Sequence, residues 1–290
     1  MTLKTMARRT NVELLILGAG WTSTFLILLL TEQNISHAAT STTGREGTYK
    51  FKFEHDESDE GQKQYEALPT AQTILITFPL KGKHEASRLV DSYEKAHGRA
   101  ESARFQFIQL GSSGIFTIPD QEMWVTRRSK YDTKNERALA EDELLAMGGC
   151  VLNLSGLWGG ARDPKHWIDR VADTKEKLKG KTSLHLVHGL DVARAVIAVH
   201  RLFSKAAGQR WLVTDLFVYD WWSLILGWAG QLDAENDDSA REMSQIKWIG
   251  ELMVEAEVRA LPRSMGQLGR CYDAREFWTA FELMPIRART

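Results

Sequence analysis

The sequence predicts an α/β fold in which a doubly wound parallel sheet carries a small, mainly helical C-terminal substrate lobe. Apolar strand-like runs alternate with amphipathic helical segments between residues 11 and 215. The short connections between them favour a parallel sheet that is covered on both faces. The first run also ends in a Gly-x-Gly turn that leads directly into a helical segment, which is typical of a Rossmann-type domain.

The strand and helix signals follow one another in chain order. Strands are predicted from short apolar runs at residues 12–17, 35–41, 73–78, 105–110, 150–154 and 210–214. Helices are predicted from apolar spacing of three and four residues at 21–32, 83–97, 135–147 and 191–203. Right-handed crossovers between such strands wind the sheet outward in two directions.

The chain is predicted to form one integrated unit with two parts. The Rossmann-type domain spans residues 11–156 and 182–215, and the lobe spans residues 157–181 and 216–290. No internal repeat or low-complexity linker separates them. We expect the lobe to cover the carboxyl ends of the strands, where ligands bind in open parallel sheets.

Composition excludes several functional classes. The net charge of −1 gives no reason to expect nucleic acid or an anionic membrane as a partner. The apolar run at 14–30 is broken by Gly, Thr and Ser and is short for a membrane span of about 20 residues. Only two cysteines occur, which favours a reducing, cytoplasmic location. No metal site is expected, because no group of His, Cys, Asp or Glu residues has the spacing of metal ligands. A small-molecule substrate is the expected partner, and a homodimer is an open alternative to a monomer.

The Gly-x-Gly turn predicts a dinucleotide site. Gly18 and Gly20 let the backbone approach a pyrophosphate, and the helix that starts at Trp21 and Thr22 favours its negative charge. The third glycine of the usual fingerprint is Ser23 in this chain. Phe78 and Pro79, after the third predicted strand, are expected to border the same site.

The end of the second predicted strand indicates which cofactor binds. An NAD-preferring site usually has a carboxylate there for the ribose 2′-hydroxyl, whereas this chain offers Ser41, Thr42 and Arg45. These groups suit a 2′-phosphate, so NADP is predicted, with NAD as the alternative because Glu46 is close. The competing interpretation is a solvated polar turn. The predicted cofactor-binding residues are Gly18, Gly20, Trp21, Thr22, Ser41, Thr42, Arg45, Phe78 and Pro79.

Two serines after a middle strand are candidates for catalysis. Ser112 and Ser113 would lie on the side of the sheet where a nicotinamide is expected, and their hydroxyls could polarise a substrate carbonyl. A serine-rich turn that simply closes the strand is an equally good interpretation.

The order of these motifs resembles a known superfamily. The Gly-x-Gly turn, the serine pair, the helix at 135–145 and the segments 151–159 and 184–193 look like the extended short-chain dehydrogenase/reductase superfamily, in its atypical, nucleoside-diphosphate-sugar-epimerase-like branch. The likeness covers about residues 11–215. The segments 259–263 and 270–278 resemble little-characterised fungal proteins of this type.

This resemblance implies a bound NAD(P) and a Ser–Tyr–Lys active site. Ser113 matches the serine, and Tyr131 is the only plausible tyrosine. The expected Tyr-x-x-x-Lys is absent, since Asn135 stands four residues after Tyr131. Without a neighbouring lysine, an ordinary tyrosine stays protonated near neutral pH. Arg137 could supply positive charge instead, although it cannot relay a proton.

Aromatic residues and one histidine are candidates for substrate contacts. Trp124 and Trp158 could line a pocket for a flat, apolar molecule, and His188 could act as an acid or base near neutral pH. Core packing for the tryptophans and a backbone-bonded histidine are the alternative interpretations.

Three functional hypotheses follow. The first is an NADP(H)-dependent oxidoreductase that acts on a carbonyl or imine of a small aromatic or polycyclic metabolite, with Tyr131 or bound water moving the proton. The second is a non-redox isomerase, dehydratase or cyclase on the same scaffold, which the absent Tyr–Lys pair favours. The third is a non-catalytic, NADP-sensing regulatory protein.

Overall fold

A computed structural model describes residues 11–54, 59–98, 105–229 and 239–288. Its strands are β1 (Asn11–Leu17), β2 (His37–Ser41), β3 (Tyr49–Lys50), β4 (Thr70–Ile76), β5 (Gln106–Ser112), β6 (Trp124–Val125), β7 (Cys150–Leu154), β8 (Gly156–Trp158), β9 (Ser183–Leu184), β10 (Leu186–His188), β11 (Arg210–Val213), β12 (Tyr219–Asp220) and β13 (Cys271–Tyr272).

The helices lie between these strands and in the C-terminal part. They are α1 (Trp21–Glu32), α2 (Asp59–Glu66), α3 (Glu85–His97), α4 (Glu136–Ala146), α5 (Ile168–Val171), α6 (Lys175–Lys179), α7 (Gly189–Arg201), α8 (Phe203–Ala206), α9 (Trp221–Ala229), α10 (Ser239–Glu255), α11 (Met265–Leu268) and α12 (Arg275–Ala280). Two 3-10 turns, Ser113–Phe116 and Pro164–Trp167, complete the described secondary structure.

Seven strands form one parallel sheet in the order β11-β7-β5-β4-β1-β2-β3. Every described pairing within it is parallel. In the register, Leu15 lies opposite Ala38 of β2 and Ile74 of β4. Strand order runs outward in both directions from β1 and β4, so the predicted doubly wound α/β fold is confirmed.

The alternation of side chains along β1 explains the layers. Leu14 and Ile16 pack in one buried cluster with Leu26 of α1 and Val196 of α7. Leu15 and Leu17 pack in the opposite cluster, which includes Leu89 of α3 and Leu144 of α4. Successive strand residues point to opposite faces, so a continuous apolar run is needed where helices cover both sides.

The C-terminal part adds short ribbons that the sequence did not predict. β10 pairs with β8, β12 with β9, and β13 with β6. The rest is mainly helical, and a third apolar cluster joins α9 and α10 through Trp222, Ile225 and Leu252. Helix α10, with 17 residues, is the longest of the described helices. The predicted division into two parts stays a prediction.

The last described residues are attached to α7. The buried carboxylate of Asp191 accepts hydrogen bonds from the backbone N–H groups of Ile286 and Arg287. It also accepts one from Arg194. In addition, Phe277 and Trp278 of α12 lie in the same buried cluster as β1 and α7. Helix α12 therefore packs into the core of the sheet domain, and the backbone at Ile286 and Arg287 is attached to α7 at its surface.

None of the helices in the described ranges is long and apolar enough to cross a membrane.

Candidate functional site

Several of the predicted site residues lie at the carboxyl edge of the sheet. β1 leads into Gly18, β4 into Thr77, and β5 into Ser113. β4 lies between β1 and β5 in the sheet. The chain leaves β1 toward one side of the sheet and β4 toward the other, so this edge is the topological switch point at which parallel sheets bind ligands.

The glycine turn is held from both neighbouring strands. The Gly18 N–H donates to Thr40 Oγ1 at 2.9 Å, and Thr77 Oγ1 donates to the Gly18 carbonyl at 2.6 Å. Gly18 has a φ of +92°, and a Cβ there would lie 2.7 Å from Thr77 Oγ1. Only glycine meets both requirements, which confirms the position as a structurally constrained turn.

Helix α1 presents an uncapped N-terminus at this turn. Its N-cap residue is Gly20, which makes no side-chain cap. No atom lies within 4 Å of the place that a Cβ of Gly20 would occupy. The space beside Gly20 is therefore open at the positive end of the helix, where the first turn, which begins with Trp21 and Thr22, has no side-chain cap. This arrangement fits a pyrophosphate.

Ser23, which replaces the third glycine, lies inside the protein. It is 3% exposed, and its Oγ has no hydrogen-bond partner among the described residues. The serine side chain at this position therefore packs beneath the first turn of α1 and does not fill the opening beside Gly20.

The loop after β2 carries Arg45 to the glycine turn. Ser41 Oγ bonds to Thr48 Oγ1 at 2.8 Å and accepts the Arg45 N–H at 3.1 Å. This folded loop lets Arg45 Nη2 donate to the Ala19 carbonyl at 2.5 Å. Thr42 is exposed beside it. The arrangement places a guanidinium between the glycine turn and the end of β2, where the ribose of a dinucleotide lies in this kind of domain.

An aromatic pair borders the same opening. The Phe78 ring stacks on Phe53 with centroids 5.7 Å apart, and the Arg88 guanidinium lies 4.7 Å from the Phe53 centroid. Pro79 follows Phe78 and is exposed. Phe53 was not predicted as a site residue, because nothing in its local sequence indicates that it meets the end of β4.

Adjacent strands supply a pair of hydroxyls. Ser113 Oγ lies 3.4 Å from Ser155 Oγ, which follows β7. Ser112 has a different function, since its Oγ accepts the Gly114 N–H at 3.1 Å and caps the 3-10 turn. The Tyr272 hydroxyl donates to the Ser113 carbonyl at 2.8 Å. Ser113 is thus held by the C-terminal lobe, while its hydroxyl pairs with Ser155, which sequence reasoning missed.

A buried carboxylate lies beneath the serine turn. Glu141 of α4 is fully buried. It accepts hydrogen bonds from the Ser112 N–H at 3.3 Å, Asn153 Nδ2 at 2.8 Å and Arg210 Nη2 at 3.1 Å. Burial raises the pKa of Glu141, while these donors oppose the shift. The network ties β5, β7, β11 and α4 together directly below Ser113.

The structure places the Tyr131 hydroxyl in this supporting network. It donates to Asp142 Oδ1 at 2.9 Å, and the Arg210 guanidinium lies 4.4 Å from the centre of its ring. Burial raises the pKa of Tyr131, which keeps the phenol protonated. Among the described residues, its hydrogen-bond partner is Asp142 and not Ser113.

Asn135 occupies the position at which the resemblance implies a lysine. It is the N-cap of α4, and its Oδ1 accepts the Arg137 N–H at 3.0 Å. The position therefore has a structural role in starting the helix.

His188 is also bonded to backbone. Its Nδ1 accepts the Leu190 N–H at 3.0 Å and caps α7, which assigns the ring proton to Nε2. Burial lowers the pKa of His188, so the ring is neutral near pH 7. Trp158 lies edge-on to it, with centroids 4.6 Å apart.

Trp21 joins the glycine turn to the C-terminal part. Its Nε1 donates to the Gly159 carbonyl at 3.1 Å, and the Arg162 guanidinium lies 4.4 Å from the Trp21 ring centroid. Phe25 connects this group to His188 through edge contacts. Trp21, Trp158 and His188 thus form one aromatic cluster beside α1.

Trp124 lines a cavity to which Trp158 does not contribute. The cavity has a volume of about 610 Å³ and is lined by Trp124, Leu216, Tyr272, Asp273, Ala274 and Arg275. Tyr272 links this cavity to Ser113. His185 accepts the Tyr272 N–H at 2.9 Å, and burial lowers its pKa to about 3, so it is a neutral structural acceptor.

Within the described ranges, no three His, Cys, Asp or Glu side chains group as metal ligands would.

Comparison with known proteins gives structural neighbours only. No protein-family model matches the chain, and no curated protein matches it. A short-chain dehydrogenase/reductase superfamily protein from Agrobacterium tumefaciens with bound NAD is similar with a TM-score of 0.60, at 11% identity over 95% of this chain and 93% of that one. Yeast methylglyoxal/isovaleraldehyde reductase in complex with NADPH has a TM-score of 0.58, at 13% identity over 95% and 94%.

A third neighbour is UDP-N-acetylglucosamine 4-epimerase from Bacillus cereus, with a TM-score of 0.56 at 8% identity over 95% of this chain and 94% of that one. At such identities the likeness establishes the fold alone, and the relationship to a fungal subgroup stays a prediction. The coverage extends over both the sheet and the C-terminal part. The chain thus has the fold of the short-chain dehydrogenase/reductase superfamily, as its motifs indicated.

Proposed function

We propose that the protein binds a nicotinamide dinucleotide, NADP(H) in preference to NAD(H), and is an oxidoreductase for a carbonyl or imine of a small aromatic metabolite. The observation that carries the proposal is the uncapped N-terminus of α1 beside the open space at Gly20, with Arg45 bonded to the same turn. Two structural neighbours that were solved with NAD and NADPH support it.

The residues at the edge of the sheet can be given roles. The bound nicotinamide would supply or accept the hydride. Ser113 would donate a hydrogen bond to the substrate oxygen, and Ser155 would orient the Ser113 hydroxyl from 3.4 Å. The Tyr131 hydroxyl is bonded to Asp142, so we assign the proton to water that reaches Ser113.

The cofactor part is tested by measuring dissociation constants for NADPH and NADH through quenching of tryptophan fluorescence. Arg45→Ala removes a charge-assisted contact with the 2′-phosphate, a change of about 1.5 kcal/mol for an exposed side chain, so NADPH affinity should fall about tenfold. NADH affinity should change less than about twofold, because it has no 2′-phosphate.

Lys50→Ala is the matched control, since Lys50 is an exposed cation on β3. It should leave both constants unchanged. Equal losses for NADPH and NADH in Arg45→Ala would refute the preference, and a wild-type protein that binds neither nucleotide would refute the cofactor proposal.

The reaction is tested with NADPH and a panel of aromatic aldehydes, ketones and imines. Ser113→Ala should lower kcat by about 100-fold while the NADPH dissociation constant stays the same. A Ser113→Ala variant with full turnover would show that the serine is not part of the reaction.

A non-redox isomerase, dehydratase or cyclase is the second candidate. The absence of a Tyr–Lys pair favours it, since Asn135 caps α4 and Tyr131 is bonded to Asp142. NADPH that carries deuterium at C4 distinguishes the oxidoreductase from the non-redox enzyme. A reductase transfers the label to product, whereas an enzyme without net redox turnover leaves the cofactor reduced. Nucleotide binding with no conversion of any substrate would indicate the third hypothesis, a regulatory protein.

A further inference from the structure

Arg137 is a cation in an electrostatically unfavourable place. It is the second residue of α4, at the positive end of the helix dipole. A cation there costs about 0.3–1 kcal/mol compared with a neutral residue. The backbone N–H of Arg137 is already capped by Asn135, so the guanidinium contributes nothing to the start of the helix.

No carboxylate compensates this charge. Arg137 is half-buried, yet within the described ranges its guanidinium has no ion pair or hydrogen bond. By contrast, two buried arginines are paired with carboxylates: Arg210 binds Glu141, and Arg263 binds Asp220. The carboxylate one turn further along α4 belongs to Glu141, and it is bonded to Ser112, Asn153 and Arg210.

The helix geometry places Arg137 on the face of α4 that meets the serine turn. Residues four apart share one face of a helix, so Arg137 lies on the face from which Glu141 reaches the Ser112 N–H. It is four residues, about 6 Å along the axis, closer to the helix N-terminus. That end lies at the carboxyl edge of the sheet, since the Glu136 carbonyl accepts the N–H of Gly82 in the loop after β4. Helical side chains also lean toward the N-terminus.

We propose that Arg137 binds a carboxylate of the substrate beside Ser113, so that the substrate class is an aromatic carbonyl compound that carries a carboxylate. This rests on the proposed function. A guanidinium matches a carboxylate through two parallel hydrogen bonds. The cofactor phosphates are accounted for separately at α1 and Arg45, which leaves Arg137 for the second ligand.

The test measures binding, so that it does not depend on finding the substrate. Calorimetry with saturating NADPH compares benzoate, phenylacetate, phenylpyruvate and 2-naphthoate with their uncharged amides. We expect at least one acid to bind the wild-type protein about tenfold or more tightly than its amide. Arg137→Gln should abolish this preference by lowering the affinity for the acid, while the affinity for the amide changes less than about twofold. Arg137→Lys should keep part of the preference for the acid.

Lys134→Gln is the matched control, because Lys134 is an exposed cation just before α4, and it should retain the full preference. Arg137→Gln should melt at the same temperature or slightly higher, since a cation leaves the positive end of a helix. Its NADPH affinity should be unchanged.

The outcomes separate this inference from the proposed function. Failure of the wild-type protein to bind NADPH overturns both. If NADPH binds but acids and amides bind alike, if none of the acids binds, or if Arg137→Gln retains the preference, the inference about Arg137 is wrong and the cofactor proposal stands.

Discussion

Replacing Arg210 with methionine should uncouple the buried network under the serine turn. Arg210 is 8% exposed, and its partner Glu141 is 0% exposed. The variant keeps the volume of the side chain but removes the charge that faces Glu141. Glu141 would then retain only its hydrogen bonds from Ser112 and Asn153 in a place that water does not reach.

The expected loss is large because one charge of a buried pair is left behind. Breaking such a pair costs about 3–5 kcal/mol, which corresponds to a fall in melting temperature of roughly 6–20 °C for a chain of this size. Arg128→Met is the control. Arg128 also pairs with a glutamate, Glu276, but both side chains are substantially exposed, so its loss should be below about 1 kcal/mol.

The pH dependence identifies the cause. Burial raises the pKa of Glu141, and the loss of Arg210 raises it further. A raised carboxyl pKa stabilises the folded state below the unfolded value of about 4.5, and this contribution is lost as pH rises through the folded pKa. The destabilisation of Arg210→Met should therefore grow as pH rises above the unfolded pKa of Glu141.

A second substitution provides the decisive assay. Urea unfolding of the double variant Glu141→Gln with Arg210→Met, followed by circular dichroism, should recover a large part of the lost stability, because no unpaired charge remains. It should also lose the added pH dependence. If the double variant is as unstable as the sum of the two single variants at every pH, the buried charge is not the reason for the loss.

Three further predictions concern the site. Gly20→Ala should fold normally, since a Cβ there meets no atom within 4 Å, but its affinity for NADPH in fluorescence titrations should be about tenfold or more lower. Unchanged NADPH binding by this variant would contradict the placement of the pyrophosphate. Gly18→Ala should instead melt at a lower temperature, because Gly18 has a φ of +92°. Tyr272→Phe leaves the Ser113 carbonyl without its hydrogen-bond donor, so the free energy of unfolding in urea melts should fall by about 1–3 kcal/mol. An unaltered unfolding midpoint would argue against that hydrogen bond. Burial raises the pKa of Asp215 from 3.8 to about 6, so the contribution of Asp215 to stability should rise by up to about 3 kcal/mol as pH falls from 7 toward 4. The difference in unfolding free energy between the wild type and Asp215→Asn, taken from urea melts at each pH, should change by this amount, and a difference that stays constant with pH would contradict the raised pKa.

The local parts of the fold could be predicted from sequence. Strand β1 is a continuous apolar run because both faces of the sheet are covered, and the turn after it needs glycine at Gly18 because its φ is +92°. Helix α3 was predicted from its apolar spacing at 83–97 and spans Glu85–His97. The ribbons of the C-terminal part were missed, since two or three residues are too short to show the alternation of a strand.

The sequence predicted only those residues of the candidate site that follow a strand. Ser113 and Arg45 follow strands, so the fold alone brings them to the right edge. The partners of Tyr131 could not be found in this way, because Arg210 approaches from a distant strand. Tyr272 reaches Ser113 across 159 positions of sequence. Such contacts are decided by how the C-terminal part packs, and no local pattern reports them.

The hydrogen bonds between Asp191 and the backbone of Ile286 and Arg287 have a consequence for folding. They join segments that are 95 and 96 positions apart in the sequence, so they form only after both segments have been synthesised and brought together. Until then, Arg194 on the same helix is the partner that balances the buried carboxylate. A chain that is cut before Ile286 should therefore unfold at a lower urea concentration, because two backbone donors to a buried charge are lost.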